Sequence, residues 1–180
     1  MTVVTTREPG GTALGNRLRA AFVEPGFSID PMAEAFMVNA SRAQHVREVI
    51  ESALATGAWV CCDRYTDATL AYQGFGRGLA LETLHTLAAI ATGGRMPDLT
   101  LLVDVPVATS QARVAARSRA SGAAIDRLER EDDAFHARVR AGYLELARAD
   151  AARFVVLDGS RPPEDVANAA LAALVSKFAL

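Results

Sequence analysis

Leu99-Thr100-Leu101-Leu102-Val103-Asp104-Val105 is a short run that is apolar on both faces. A strand reads this way when it is buried centrally in a parallel sheet with helices on either side. Working outward, Thr2–Thr6, Ala58–Cys62 and Phe154–Asp158 have the same short, β-branched or apolar character. Between them lie longer amphipathic stretches. Thr12–Val23 is expected as a helix closed by Glu24-Pro25-Gly26. A long helix is expected from Asp30-Pro31, a cap followed by proline at the first position, to a stop at Gly57. A short helix near Asp67–Gln73, a glycine-rich turn from Gly74 to Gly78, and helices over Leu79–Thr92, Ala108–Arg117 and Arg127–Ala149 follow. Along Arg127–Ala149, Leu128, Phe135, Val139, Tyr143 and Leu146 form one stripe. Ser118–Ile125 is small and polar, as a mobile loop is, and Pro162-Pro163 opens a last helix to about Lys177. Strands separated by helices predict an α/β fold: a parallel sheet with helices on both faces, in a single domain over residues 1–180.

Composition narrows the function classes. A net charge of −2 gives no basic stripe for a nucleic-acid polymer. No apolar run approaches the ~20 residues of a membrane span. Cys61 and Cys62 are adjacent, and neighbouring strand side chains point to opposite faces, so they are expected as buried, unbridged strand thiols of a reducing, cytoplasmic protein. His45, His85 and His136 have no metal spacing and are expected on helix surfaces.

In parallel α/β sheets ligands bind at the carboxyl ends of the strands. Arg7-Glu8-Pro9-Gly10-Gly11-Thr12, Asp63-Arg64-Tyr65 and Asp158-Gly159-Ser160-Arg161 all fall there. Asp63 at a strand end can stand near Mg²⁺, and the Arg64 fork beside it suits a phosphate; a plain sheet-capping ion pair is the alternative. Gly10 and Gly15 have the spacing of a phosphate-binding loop. However, Asn16-Arg17 follow where Lys and Ser/Thr are needed, and the only lysine is Lys177 in the last helix. Arg42 and Gln44 on the long helix face a pocket or, by default, water. Arg113, Arg117, Arg119, Arg127 and Arg130 bracket the Ser118–Ile125 loop, either as a lid over a transferring phosphoryl group or as a charge run balanced by Glu129, Glu131, Asp132 and Asp133.

Taken together, these stretches resemble bacterial thymidylate kinases. The resemblance runs through Thr5-Thr6-Arg7-Glu8-Pro9-Gly10-Gly11-Thr12, Arg42-Ala43-Gln44-His45-Val46, Cys62-Asp63-Arg64-Tyr65 and Leu70-Ala71-Tyr72-Gln73-Gly74. It continues through Gly76-Arg77-Gly78-Leu79, Ala91-Thr92-Gly93-Gly94, Pro97-Asp98-Leu99-Thr100, Asp126-Arg127-Leu128-Glu129-Arg130 and Gly142-Tyr143-Leu144-Glu145-Leu146, in family order over essentially the whole chain. It implies a P-loop nucleoside monophosphate kinase-like fold and transfer of the γ-phosphoryl of ATP to thymidine monophosphate with Mg²⁺. It further implies that Arg64 holds the acceptor phosphate, Asp63 supports Mg²⁺, and Arg7 and Glu8 line the acceptor site. Arg42, Thr69 and Gln73 would read the thymine edge, with Tyr72 near the sugar.

A lid over about residues 118–126 would supply Arg117 or Arg119 to the developing charge, Asp126 and Glu129 would sit at its far hinge, and Ser160 and Arg161 would border the adenine. A homodimer packed through the long helix is implied as well. Two departures stand out. The family's central first strand and P-loop are missing from these residues and are expected before them, through a wrong start or a truncated gene. Val38 stands where the family usually stacks an aromatic ring on the base. Besides a thymidylate kinase, the sequence leaves open a non-catalytic nucleotide-binding remnant and a kinase for another nucleoside monophosphate.

Overall fold

The computed structural model describes residues 2–26, 28–122 and 124–179. The chain divides into two compact units, one formed by Met1–Met96 with Asp126–Leu128 and the other by Pro97–Ile125 with Glu129–Leu180.

In the first unit, β1 (Val3–Arg7) and β2 (Trp59–Asp63) pair in parallel, Val3 opposite Trp59 and Arg7 opposite Asp63. The crossover between them carries α1 (Ala13–Val23) and a long helix. Thr12 caps α1 by accepting from the Gly15 amide at 2.9 Å. Asp30 caps the long helix through the Met32 and Ala33 amides, with Pro31 at its first position, as the sequence predicts. That helix runs as α2 (Pro31–His45), a π-helical turn (Val46–Ile50) and α3 (Glu51–Ala55). Gly57, with φ of 74°, ends it. After β2 come α4 (Thr66–Thr69), a second π-helical segment (Leu70–Gly76) and α5 (Leu81–Thr92). The turn expected from Gly74 is therefore still helical to Gly76. The Arg77 amide donates to the Tyr72 carbonyl, five residues back, at 3.0 Å.

In the second unit, β3 (Thr100–Asp104) and β4 (Phe154–Asp158) form another parallel pair, Thr100 opposite Phe154. They are linked through α6 (Val107–Ser121) and α7 (Asp133–Ala149), and α8 (Pro163–Phe178) follows. The parallel pairing expected of the strands is thus found in two two-stranded ladders. Two helix limits differ from expectation. α6 continues to Ser121 and ends at Gly122, whose φ of 67° suits glycine, so the first part of the expected loop is helical. α7 starts at Asp133, because the Asp132 carboxylate caps it by accepting from the Phe135 amide at 2.7 Å. Leu128 lies before that helix. Phe135 and Val139 are its buried stripe.

Cys61 is exposed and Cys62 only half-buried, which corrects the expectation of two buried thiols. The β1–β2 ladder leaves one face open to solvent, where Val3, Thr5 and Cys61 all stand exposed.

Candidate functional site

The loop after β1 and the turn after β2 meet at the carboxyl ends of their strands, where the Glu8 amide donates to the Asp63 carbonyl at 2.9 Å. Glu8 turns inward and is 2% exposed. Its Oε2 accepts from Arg42 Nε at 2.7 Å, and its Oε1 lies 2.9 Å from His45 Nδ1. An ionised carboxylate only accepts, so His45 donates from Nδ1. His45 Nε2 is 2.7 Å from the Thr6 hydroxyl. His45 is fully buried, not on the helix surface as expected, because the charge it faces comes from another element. Arg42 is likewise buried rather than solvated. Nη1 donates to Asn39 Oδ1 at 3.0 Å, and Nη2 to the Tyr65 carbonyl and Thr69 Oγ1 at 3.1 and 3.0 Å. Arg42 and His45 therefore fasten α2 to β1 and its following loop and to both ends of α4. Gly11 is required here: its φ is 76°, and a Cβ would come within 2.6 Å of the His45 ring.

This framework walls a cleft of about 320 Å³, open mouth included, lined by Glu8, Pro9, Phe22, Val38, Arg42, Arg64, Tyr65, Ala68, Thr69, Tyr72, Gln73 and Leu128. One side is apolar, from Phe22, Val38 and Leu128. The other carries a fixed cation and hydrogen-bonding groups, the makeup of a small-molecule site. Arg64 is exposed at the rim with φ of 68°, a left-handed backbone that is strained for a residue other than glycine. Its guanidinium lies 5.0 Å from the centre of the Tyr72 ring, a cation–π contact that steadies the fork. Burial pushes the Tyr65 hydroxyl above its ordinary value, so it remains a phenol, donating to the Arg95 carbonyl at 3.1 Å. Burial first, then Glu8 and Asp63, pushes the Cys62 thiol up to about 12, which leaves it unreactive.

Of the residues expected at the site, Glu8, Arg42, Arg64, Thr69, Tyr72 and Gln73 converge on this one cleft. Asp63 and Arg7 are exposed at the strand ends beside it. Asp126 belongs to the same unit. Arg117 and Glu129, in the other unit, pair with each other at 2.6 Å, and Arg119 is exposed on the last turn of α6. Ser160 caps the Asp158 turn, its amide donating to Asp158 Oδ1 at 2.9 Å, and Arg161 pairs with Asp165 at 3.1 Å.

Two features escaped the sequence. Arg19 donates from Nη1 to the Pro9 carbonyl at 3.3 Å. Burial, then the cations of Arg7 and Arg64, lowers its pKa, so three guanidiniums gather their charge at the strand ends. Glu34 is fully buried and receives Gln73, Arg77 and Arg127. A glutamate four residues before Val38 and eight before Arg42, on one face of a buried helix, was the available signal.

No group of three or more His, Cys, Asp or Glu side chains that could cage a metal occurs among the described residues. Mg²⁺ takes one or two carboxylates together with water and phosphate oxygens, and Asp63, exposed at the end of β2, is a carboxylate of that kind. No helix among the described residues is long and apolar enough to cross a membrane.

The geometry is that of an α/β protein whose strand ends carry a cation-rimmed, mostly apolar cleft. Comparison with known proteins narrows this class. The thymidylate kinase family model matches residues 1–170. The chain is 49% identical to the thymidylate kinase of Desulfosudis oleivorans over 176 residues, 96% of this chain and 82% of that protein. It is 49% identical to that of Deinococcus radiodurans, covering 97% of this chain and 82% of the relative. A crystal structure of the Ehrlichia chaffeensis thymidylate kinase superposes with a TM-score of 0.75 at 27% identity, covering 96% of this chain and 80% of that one. The chain belongs to the thymidylate kinase family, phosphotransferases that pass the γ-phosphoryl group of ATP to thymidine monophosphate.

Proposed function

We propose that this chain binds thymidine monophosphate in the cleft and, with ATP and Mg²⁺, forms thymidine diphosphate in the cytoplasm. One observation carries the reading: the Arg64 guanidinium, 5.0 Å from the centre of the Tyr72 ring, stands at the rim of a mostly apolar cleft that also carries Arg42, Thr69 and Gln73. Arg64 holds the acceptor phosphate, and Arg7 and Glu8 line its approach. Arg42, Thr69 and Gln73 meet the base edge, Val38 packs on its face, and Tyr72 flanks the sugar. Mg²⁺, when bound, neutralises phosphate charge; Asp63 supports it. A lid over residues 118–126, starting on the last turn of α6, brings Arg117 or Arg119 to the developing charge, with Asp126 and Glu129 at its hinge. Ser160 and Arg161 border the adenine. Phe36, 55% exposed on α2, is apolar surface for a homodimer through that helix.

Two other readings each have a specific observation. Lys177, the single lysine, donates to the Ala152 carbonyl in the second unit, so no lysine of these residues cradles phosphates in a Gly-x4-Gly-Lys loop. For these residues by themselves that favours nucleotide binding without turnover. Val38 at the ring-stacking position favours a different base.

A coupled ATP-to-ADP assay with thymidine, uridine, cytidine and guanosine monophosphates, beside calorimetric binding, separates them. Turnover of thymidine monophosphate that Arg64→Ala lowers by at least about a hundredfold, the scale of a transition-state contact, supports the kinase reading. Binding without turnover by a chain that carries the segment expected before these residues supports the second, and a preference for another monophosphate the third. Absence of both binding and turnover overturns all three.

A further inference from the structure

Glu34, Val38 and Arg42 follow one another at four-residue steps along α2 and so share one face of the helix. Val38 and Arg42 line the cleft directly, whereas Glu34 acts through another residue. Its Oε2 accepts from Gln73 Nε2 at 2.8 Å and from Arg77 Nε at 3.4 Å. Its Oε1 accepts from Arg77 Nη2 at 3.0 Å and from Arg127 Nη1 at 2.6 Å. Each hydrogen-bond partner described for this fully buried carboxylate is a donor. A side-chain amide has a donor end and an acceptor end that are nearly the same size, and packing alone does not choose between them. Here the choice is made, because Nε2 must face Glu34.

We propose that Glu34 is a specificity-determining positioning residue: by holding the NH₂ of Gln73, it leaves Gln73 Oε1 as the acceptor available to a base in the cleft. A pyrimidine that carries a proton on N3, as thymine and uracil do, meets that acceptor with a donor. Cytosine brings a lone pair on N3 to the same oxygen and is rejected. A polar site built for one hydrogen-bond pattern discriminates strongly against the inverted one, because the mismatched groups are left buried and unpaired. Arg77 and Arg127 act differently, by balancing and anchoring the carboxylate.

The inference rests on the proposed reading of Gln73 at the base edge. Its test is the ratio of dissociation constants for thymidine and deoxycytidine monophosphates, measured by calorimetry on the 180-residue chain. In Glu34→Gln the amide of Gln73 faces a group that can donate or accept. The preference for thymidine monophosphate then narrows by about tenfold, the worth of one hydrogen bond. Arg77→Gln disturbs the same ion cluster but spares the Glu34–Gln73 bond, and the ratio holds while Tm falls. An unmoved ratio in Glu34→Gln, or an equal loss in Arg77→Gln, overturns the inference and leaves Glu34 an ion pair of the core. Failure of the wild-type chain to bind either nucleotide overturns the functional reading and this inference with it. Should Glu34→Gln not fold, the Gln73 side-chain amide of the wild-type protein decides the matter by NMR. One amide proton stays hydrogen-bonded to Glu34 throughout titration with thymidine monophosphate, and an NH₂ that turns to the nucleotide overturns the inference.

Discussion

The two units of the chain treat charge in opposite ways. In the first, Glu8, Glu34, Arg42, His45, Asp67 and Gln73 are all buried, and each of Glu8, Glu34 and Arg42 has several partners. In the second, every buried side chain identified among the described residues is apolar. Its ion pairs Arg117–Glu129, Arg140–Asp104 and Arg161–Asp165 each include a well-exposed arginine, and in Arg153–Asp150 the carboxylate is the exposed partner. Taking charges out of water costs several kcal/mol per ion, and a hydrophobic core of the same volume is often as stable. The cost is met where the side chains line the cleft, as Glu8, Arg42 and Gln73 do, or hold one that does, as Glu34 and His45 do. Buried polarity in this molecule therefore marks where position matters, and surface charge marks where it matters less.

The contrast can be broken by substitution. The largest effect is expected for Glu8→Ala, which strands Arg42 and His45 without their shared carboxylate. Unfolding free energy in urea should fall by ~3–5 kcal/mol, the range for one removed partner of a buried pair. A loss below ~1 kcal/mol would show that water fills the gap and that the buried network is not a mechanical frame. Val38→Phe sharpens the comparison at the cleft itself. A ring restored against the base should tighten thymidine monophosphate by ~1 kcal/mol, about fivefold in calorimetry, with little change in Tm. Weaker binding would place the base elsewhere than on α2.

The smallest effect is expected in the second unit. Arg140→Ala removes a pair whose arginine side chain is 40% exposed, so less than ~1 kcal/mol is expected at neutral pH. The hydrogen bond from Arg140 holds the Asp104 carboxyl below its ordinary value. A depressed carboxylate stabilises the fold above the unfolded pKa of about 4, and that contribution is lost as pH falls through the lower folded value. Wild type and variant should accordingly begin to converge in Tm below about pH 4 and meet once the pH has passed the lower folded value. A gap that persists there would mean Arg140 acts through its stem and not its charge.

Much of this was legible in the sequence. Asp30-Pro31 and Gly57 mark the long helix correctly because caps and left-handed stops are local chemistry. The strands were found to within a residue for the same reason. Glu8, Arg64, Thr69, Tyr72 and Gln73, singled out through the family resemblance, line one cleft. His45 was missed because nothing in its own helix reveals a carboxylate arriving from the β1 loop 37 residues away. The exposure of Cys61 was missed because period and polarity describe a strand but not what covers it. Glu34 was missed because charged residues are ordinarily solvated, and its three partners come from two distant stretches.

The π-helical turn at Leu70–Gly76 makes residue count, as much as residue identity, part of this site. Each residue advances a regular helix by about 100°. The wider turn holds one more residue than an α-helix would, and Tyr72 and Gln73 both reach the cleft from inside it. Deleting a single residue there would let the helix close to its ordinary pitch and swing Gln73 away from Glu34. Every side chain of the cleft would still be present, in an unchanged order, around a pocket that no longer had their groups in it. A scan of substitutions cannot reveal such a dependence, whereas a scan of single-residue deletions would find it at once.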